Sequence, residues 1–515
     1  MADANNSVLV ILPGIVIACT ALLVFMADTF VGRRKEILPW IAAAGLVAAA
    51  AVAAAQWLDV DELGSLWDLV TGRGSAVFGG REGEAGFAGM VALDKFAFYC
   101  TLLFCVIGVL TIMLSDAYMK KRRDAMGEFY GLLLLVIAGM FGMAVSTDLI
   151  ALFIAFELMS LPTYVLAGFL RGDVRSGEAA VKYFVNGAFS SAVLVFGLAL
   201  LYAASGQTNY AGIAEAMSGL GADAESGLTV VALVFVAVGF GFKIAAVPFH
   251  GWAPDVYEGA PTPVTAFMSV GIKAGAFVGF LKLFTIAAVG LGDIWTAALT
   301  VLAVLTMVVG NALALPQRNL KRMLAYSSIA HAGYLLLGLI ATGASLDSAG
   351  SSAVLFYLGA YTFMNIGAFG ILVWIRNRRA FRYGLDEVAG LARTMPWTAI
   401  GMALFMVSLT GIPPLVGFWG KFYLFTAIVD AGMTWLAIVA VVMSAVSAYY
   451  YLRVVWYLYF REAPEGAEVV ADDAGPALGS AVAVTLAALG VLALGLYPSP
   501  LISAAQGALR VLIGG

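Results

Sequence analysis

The chain contains 515 residues, of which 62% are hydrophobic and only 12% are charged, and its mean hydropathy is +0.96. A water-soluble protein of this length needs far more charge to cover its surface, so the composition excludes one. The formal net charge is −4, and no basic run is interleaved with aromatic residues, so nucleic-acid binding has no support.

Apolar runs of about 20 residues, the length needed to cross a ~30 Å hydrocarbon core, recur along the chain. Because lipid offers the backbone no hydrogen-bond partners, these runs are predicted to be helices, and the fold class is an all-α membrane protein. The fourteen predicted spans lie at 7–30, 36–57, 91–114, 127–146, 148–170, 179–203, 228–250, 262–288, 293–315, 323–342, 352–375, 396–428, 434–459 and 476–499. Asp3 in place of a basic start indicates that the first span is not a cleaved signal peptide.

Four regions follow from this order. Residues 1–126 hold spans one to three with a polar loop at 58–89, 127–290 hold spans four to eight, 291–460 hold spans nine to thirteen, and 461–515 hold the last loop and span fourteen. Most lysines and arginines lie in the odd-numbered connections between spans. Since basic loops stay in the cytoplasm, both termini are expected on the opposite side of the membrane.

The second and third regions are predicted to be two inverted five-helix repeats. Three segments of the first repeat recur in the second at nearly one offset: 160–168 (SLPTYVLAG) as 330–338 (AHAGYLLLG), 193–197 (VLVFG) as 366–370 (IGAFG), and 248–252 (PFHGW) as 414–419 (PLVGFW). An odd number of spans separates the copies, so the second enters the membrane upside down. Inverted repeats with interrupted helices mark a transport site near the membrane midplane.

Four charged residues fall deep inside predicted spans: Glu157, Lys243, Lys273 and Lys421. A charge at the centre of a membrane helix costs roughly 3 kcal/mol, so such residues face a protein interior or a watery cavity and handle ions or protons. Burial and a nearby carboxylate shift the proton affinity of a lysine in opposite directions, which is what a proton pump requires. A purely structural ion pair is the alternative for each of the four.

Two predicted spans also look broken, and each carries one of these lysines. Glycines and a proline surround Lys243 in span seven, and a Gly-Ile-Pro-Pro run precedes Lys421 in span twelve. Proline removes a helix hydrogen bond, and the freed carbonyls can hold water or an amine. Ordinary bending of a long span is the alternative.

Other polar residues lie nearer the span ends. For Lys282 and Arg453 snorkelling to the interface is favoured, whereas Lys182, one turn into span six, suits a relay or an interfacial role equally. If the helix continues past Lys243, His250 lies two turns further along the same face, and its near-neutral pKa suits a proton relay; a hydrogen-bonded histidine at a loop end is the alternative. For His331 a relay and simple polar packing remain equally open.

No pattern for a redox cofactor or a metal is present. The three cysteines, Cys19, Cys100 and Cys105, lack the spacing of a zinc, iron–sulfur or disulfide framework. There is also no glycine-rich dinucleotide loop and no Walker motif. Energy must therefore come from an ion gradient or from partner subunits.

Three motifs give the chain a family resemblance: FELMSLP at 156–162, KIAAVPFHGWAPDVYEGAPTP at 243–263 and GIPPLVGFWGKF at 411–422. Over nearly its whole length the chain resembles the antiporter-like membrane subunits of proton-pumping NADH:quinone oxidoreductase, respiratory complex I. It is most similar to the N-type subunits, counterparts of mitochondrial subunit 2. The chain has no long lateral helix after its last span, and it carries Lys421 where an M-type subunit is expected to have glutamate.

The resemblance implies a role for each site residue. Glu157 matches the glutamate that pairs with Lys243, Lys273 matches the central relay lysine, and Lys421 matches the lysine at the periplasmic outlet. Lys182 and His250 match secondary relay positions. The resemblance further implies that NADH, FMN, iron–sulfur clusters and quinone belong to partner subunits. Small membrane subunits are expected on one side of the chain and another antiporter-like subunit on the other.

Two other functions remain open. A subunit of a multi-component sodium/proton antiporter shares this ancestry and the buried lysine–glutamate design. A structural membrane subunit that holds an assembly together while others pump is the third reading. A free-standing solute transporter is disfavoured, because the spans suggest no large polar pocket.

Overall fold

The computed structural model describes residues 8–32, 35–57, 84–120, 126–220, 227–345, 347–378, 381–462 and 478–513. The helices are α1 Leu12–Phe30, α2 Leu38–Trp57, α3 Lys95–Lys120, α4 Met126–Val145, α5 Leu149–Ala167, α6 Val174–Ser205, α7 Tyr210–Leu220, α8 Gly227–Lys243, α9 Trp252–Gly259, α10 Thr262–Ala287, α11 Gly292–Ala314, α12 Leu320–Ser345, α13 Ser348–Arg378, α14 Leu391–Thr394, α15 Pro396–Thr410, α16 Val416–Asp430, α17 Thr434–Phe460, α18 Leu478–Leu496 and α19 Ser499–Ile513. Short 3₁₀ turns lie at Lys35–Ile37, Val289–Leu291 and Asp386–Val388. Two short strands, β1 Glu84–Gly86 and β2 Val91–Leu93, form an antiparallel hairpin.

The predicted all-α membrane fold is confirmed. Within the described ranges, twelve helices are long and apolar enough to cross a membrane: α1 to α6, α10 to α13, α17 and α18. The two remaining predicted spans, seven and twelve, begin with the shorter apolar helices α8 and α15. Most helix ends lie within a few residues of the predicted ones, because apolar run length fixes a membrane helix almost by itself.

Both spans predicted to be broken are broken, and they occupy corresponding places in the two repeats. Helix α8 ends at Lys243, and a stretch without regular helix separates it from α9. Helix α15 ends at Thr410, where Gly411 adopts a φ of +91°. This left-handed conformation is accessible to glycine without a steric penalty and stops the helix. The chain then restarts as α16.

Three helices form the inner part of the bundle. Helices α10, α12 and α13 are almost entirely buried, whereas only about a third or fewer of the residues of α1, α6, α17 and α18 are fully buried. Small residues allow close helix contacts, as where Gly310 of α11 lies against the backbone of Ala330 in α12. Side chains on the inner helices are therefore screened from lipid by protein.

The hairpin and four of the described helices, α7, α9, α14 and α19, were not predicted. The hairpin covers the end of the predicted polar loop 58–89, whose residues 58–83 lie outside the described part of the chain. Gly89 in the hairpin accepts hydrogen bonds from the side chains of Thr147 and Asn209, both at 2.8 Å. Helices α7 and α19 are too short or too amphipathic to register as spans.

Candidate functional site

Lys243 ends α8 in a cage of aromatic rings. Its side chain is buried, and Nζ donates to the Tyr164 hydroxyl at 3.3 Å. Nζ also lies 5.0 Å from the ring centre of Phe156, 4.9 Å from that of Tyr164 and 5.5 Å from that of Tyr183. Electron-rich ring faces stabilise an ammonium without fixing its proton.

Glu157 lies beside this cage but forms no salt bridge with Lys243 in this structure. Its carboxylate interacts with Lys243 and Tyr164 electrostatically, through space. The Oε1 atom is buried and has no hydrogen-bond partner among the described residues. A buried carboxylate oxygen without a partner is costly, so a small rotation toward Lys243 would gain free energy.

Lys273 lies at the centre of the bundle on α10. A π-helical turn, Met268–Ile272, immediately precedes it, and such turns often mark functional positions. The buried Lys273 amine donates a short hydrogen bond to the Ser328 carbonyl of α12. Nearby, Ser328 Oγ, Tyr361 Oη and Asn365 Oδ1 are buried polar atoms that face one another and make no close hydrogen bond within the described ranges, as is typical of groups that bind internal water.

His331 lies on the same helix as Ser328 and has a partner on each ring nitrogen. Nε2 lies 2.9 Å from the Tyr451 hydroxyl, and Nδ1 makes a short hydrogen bond with the Tyr357 hydroxyl. Tyr451 also hydrogen-bonds the Ser327 hydroxyl. One ring nitrogen donates and the other accepts, so the ring can pass a proton between two hydroxyls. This geometry suits a relay better than simple packing.

Lys421 lies at the break of the second broken span. Its buried amine donates to the Thr410 carbonyl at the end of α15 and to Ser444 Oγ of α17, both at 2.8 Å. The Tyr334 ring centre is 5.2 Å from the amine. A cation at a helix C-terminus is stabilised by the helix dipole.

Lys182 is placed differently from Lys243, Lys273 and Lys421. Its side chain is 40% exposed and forms ion pairs with Glu178 at 2.6 Å and Asp255 at 2.7 Å. Arg322 bridges Asp255 at 2.7 Å and Glu258 at 2.9 Å. The sequence reading missed these partners, although the DVYE segment of the second motif contains both acids.

A polar cavity of about 250 Å³ opens at this ion-pair cluster. Its lining includes Arg175, Glu178, Ala179, Asp255, Glu258, Gly259 and Arg322. Burial alone would raise the pKa of Asp255, but hydrogen bonds from Lys182 and Arg322 outweigh it, and the pKa is lowered. Asp255 therefore stays ionised at neutral pH.

The positions of His250 and Lys282 differ from those predicted from the sequence. His250 lies in the irregular stretch after α8, so it does not share a helix face with Lys243. Its Nδ1 is buried without a partner among the described residues. Lys282 does not snorkel to the interface but is fully buried in an ion pair with Asp94. Both errors arise because partners distant in sequence decide a side chain's surroundings.

Fold and site together define a class: a polytopic α-helical membrane protein with buried lysines at the breaks of two interrupted spans. Residues 146–447, more than half of the chain, match the family described as NADH:quinone oxidoreductase/Mrp antiporter, TM. The chain belongs to this family. The predicted family resemblance is thus confirmed.

Three individual proteins show how similar this chain is to known sequences and solved structures. NADH-quinone oxidoreductase subunit N of Trichlorobacter lovleyi is 42% identical over 98% of this chain and 97% of its own length. A chain of respiratory complex I from Thermus thermophilus is 34% identical, with a TM-score of 0.74 over 96% of this chain and 100% of that chain. A chain of the Mrp complex from a Dietzia species has a TM-score of 0.77 over 99% of this chain and 97% of that chain, but its 24% identity shows only a shared fold.

Proposed function

We propose that this chain is the N-type subunit of a bacterial NADH:quinone oxidoreductase and moves protons through Glu157, Lys243, Lys273 and Lys421. One observation carries the proposal: in the described part of the chain, the amines of these three lysines contact hydroxyls, carbonyls and rings rather than carboxylates within ion-pair distance. A lysine in a tight salt bridge keeps its proton. A lysine with neutral partners can release its proton without leaving a carboxylate unpaired.

The proposed route runs along the polar residues in the bundle. Protons enter at the cavity beside Lys182 and Asp255, with His250 as a secondary station, and reach Lys243. They continue to Lys273, pass along His331 and the hydroxyls of Tyr357 and Tyr451, and leave through Lys421 toward the periplasm. The contacts of Lys273 with α12, and of His331 with Tyr451, support the second half of this route.

In this proposal, a movement of Glu157 drives the uptake and release of the Lys243 proton. Quinone reduction in partner subunits shifts charge along buried polar groups, and Glu157 then approaches or leaves Lys243. The unpaired Oε1 atom supports this, since the carboxylate is already beside the cage without being locked in it. Approach favours the ammonium form of Lys243, and withdrawal favours release of its proton.

NADH, FMN, iron–sulfur clusters and quinone belong, in this proposal, to partner subunits, and this chain contributes no redox centre. The proposed neighbours are small membrane subunits on one side and another antiporter-like subunit on the other. Large exposed apolar side chains on α5 and α6, such as Ile154, Leu161 and Phe189, suit contact with such subunits or with lipid. The proposed location is a bacterial cytoplasmic membrane with both termini in the periplasm.

The test begins with a tagged chain extracted from its native membrane in mild detergent. Co-purification of a flavin- and iron–sulfur-containing complex with NADH:quinone reductase activity is expected. Glu157→Gln and Lys243→Met should then lower the number of protons moved per NADH in liposomes, while Thr426→Val, a change at a partly exposed position on α16, should not. Unchanged proton movement in both site variants would refute the proposed path.

The alternative is a subunit of a multi-component sodium/proton antiporter, because the family description covers both kinds of protein. Recovery of a redox-inactive assembly of small membrane subunits would favour it. Sodium-dependent proton exchange by that assembly, lost in Lys243→Met, would establish it.

A further inference from the structure

A second buried charge pair lies outside the proposed route. Lys282 Nζ is 2.9 Å from Asp94 Oδ2, and the two side chains are 1% and 8% exposed. The same amine donates to the Ala144 carbonyl at 2.7 Å. The other Asp94 oxygen, Oδ1, accepts the backbone N–H of Ala97 at 2.6 Å.

These contacts join the ends of three helices. Asp94 caps the start of α3, where backbone N–H groups lack helix partners. Ala144 belongs to the last turn of α4, where carbonyls lack partners. Lys282 belongs to α10, the helix that also carries Lys273. Each charge is thus compensated by the other and by a helix end, which favours a fixed pair.

Because Lys282 and Lys273 lie on the same helix, the position of the ion pair affects the position of Lys273. Lys273 and Lys282 are the first and last residues of one α-helical segment, with π-helical turns at Met268–Ile272 and Leu283–Ala287 on either side. Nine residues correspond to about 13.5 Å and two and a half turns, so the two lysines lie on opposite faces. Lys282 holds one face to α3 and α4, while Lys273 reaches Ser328 of α12 from the other.

Several other contacts between this segment and its neighbours are weakly directional. Gly275 lies against Met140 and Met159, and Gly279 lies against Met143. Methionine side chains are flexible and fit many positions equally well. Such contacts permit sliding and rotation, whereas Phe280 stacks on Phe240 of α8 with ring centres 4.9 Å apart. On the face toward α3 and α4, the ion pair is the polar contact that opposes sliding.

We propose that Asp94 and Lys282 are positioning residues: their ion pair fixes the rotation and height of the α10 segment and thereby holds the Lys273 amine against the Ser328 carbonyl. The pair is not itself a proton station, because the eight residues between the two lysines all have apolar side chains or none. This inference rests on the proposed function, since it concerns the placement of a residue in the proton path.

The test uses the intact complex carrying Lys282→Met, Asp94→Asn, the double neutral variant, or the swap Asp94→Lys with Lys282→Asp. Three quantities are measured: assembled complex, NADH:quinone reductase rate, and protons moved per NADH in liposomes. Arg171→Met, which breaks the exposed pair with Glu128, is the matched control. Lys273→Met is the reference for loss of the path itself.

Both single variants should lower protons per NADH toward the value of Lys273→Met in whatever complex assembles, since a misplacement of 1 Å can cost about 10²-fold in the rate of a transfer step. The swap should restore much of the loss, which a simple packing role does not predict. If a single variant fails to assemble, the double neutral variant, which leaves no unpaired buried charge, decides the question. A normal ratio in that variant overturns the inference, and a lowered ratio supports it.

The two proposals fail in different ways. If Lys273→Met itself leaves the ratio unchanged, the proposed path is wrong. If Lys273→Met lowers the ratio and the Asp94 and Lys282 variants do not, the path stands and only the positioning role is wrong.

Discussion

The Lys421 amine lies 2.8 Å from the Thr410 carbonyl, so the lysine of the second half of a broken span caps the first half. Lys243 instead ends the first half of its own broken span. The Lys421 amine thus lies at a helix C-terminus, where the dipole favours positive charge, whereas the Lys243 amine contacts the Tyr164 hydroxyl and aromatic rings. The two broken spans therefore hold their lysines in different ways.

Gly411→Ala should disturb Lys421 through the backbone. Gly411 has a φ of +91°, and an added Cβ would lie 3.0 Å from Lys421 Cδ. Strain of this kind costs about 1–3 kcal/mol, so both the melting temperature and protons per NADH should fall. Gly172→Ala, where a Cβ meets nothing within 4 Å, is the control. A variant as stable as the control would contradict the role of the glycine.

Tyr164→Phe should slow proton movement while leaving the fold intact. The substitution removes the hydroxyl that accepts from Lys243 but keeps the ring beneath the amine. Loss of one hydrogen bond costs about 0.5–1.5 kcal/mol, so the complex should still assemble. Protons per NADH is the quantity to measure, with Tyr202→Phe, on the exposed side of α6, as control. Equal ratios in the two variants would remove Tyr164 from the site.

Tyr451→Phe should break the link between Ser327 and His331. The hydroxyl contacts both, and the phenylalanine ring fills the same space. We expect a lower rate of proton movement, with a loss of stability of about 1 kcal/mol. Tyr449→Phe, two residues earlier on an exposed face of α17, should leave the rate unchanged. If Tyr451→Phe behaves like that control, protons cross to Lys421 by another route.

Asp255→Asn should destabilise the ion-pair cluster in a pH-dependent way. The pKa of Asp255 is lowered from 3.8 in the folded protein, so ionised Asp255 contributes stability above the unfolded value. That contribution disappears as the pH falls below 3.8 and through the folded value. The melting temperatures of wild type and variant should therefore differ at neutral pH and converge in acid. A constant difference at all pH values would show that ionisation is not the cause.

The exposed part of this cluster limits the size of the effect. Asp255 is 35% exposed, so solvent and salt screen its pairs with Lys182 and Arg322. Raising the ionic strength should reduce the difference between wild type and Asp255→Asn. Asp347→Asn, in an exposed loop, is the control and should show little salt dependence.

The sequence by itself determined the all-α membrane fold, the order of spans, the two broken helices and the burial of Lys243, Lys273 and Lys421. Run length and insertion cost are local properties, so Lys243, Lys273 and Lys421 could be recognised without knowing what surrounds them. Glycine and proline likewise mark a break wherever they occur.

Only the tertiary structure decided what each charge meets. Asp94 and Lys282 are 188 residues apart, and no spacing rule relates them, so Lys282 was assigned to the interface when it is buried. Glu157 carries an unpaired oxygen, and His250 lies off the helix of Lys243, because neighbouring helices and the exact end of α8 set those positions. A hydrocarbon solvent selects for helices through composition alone, whereas a buried charge is stabilised by particular atoms that folding brings from distant parts of the chain.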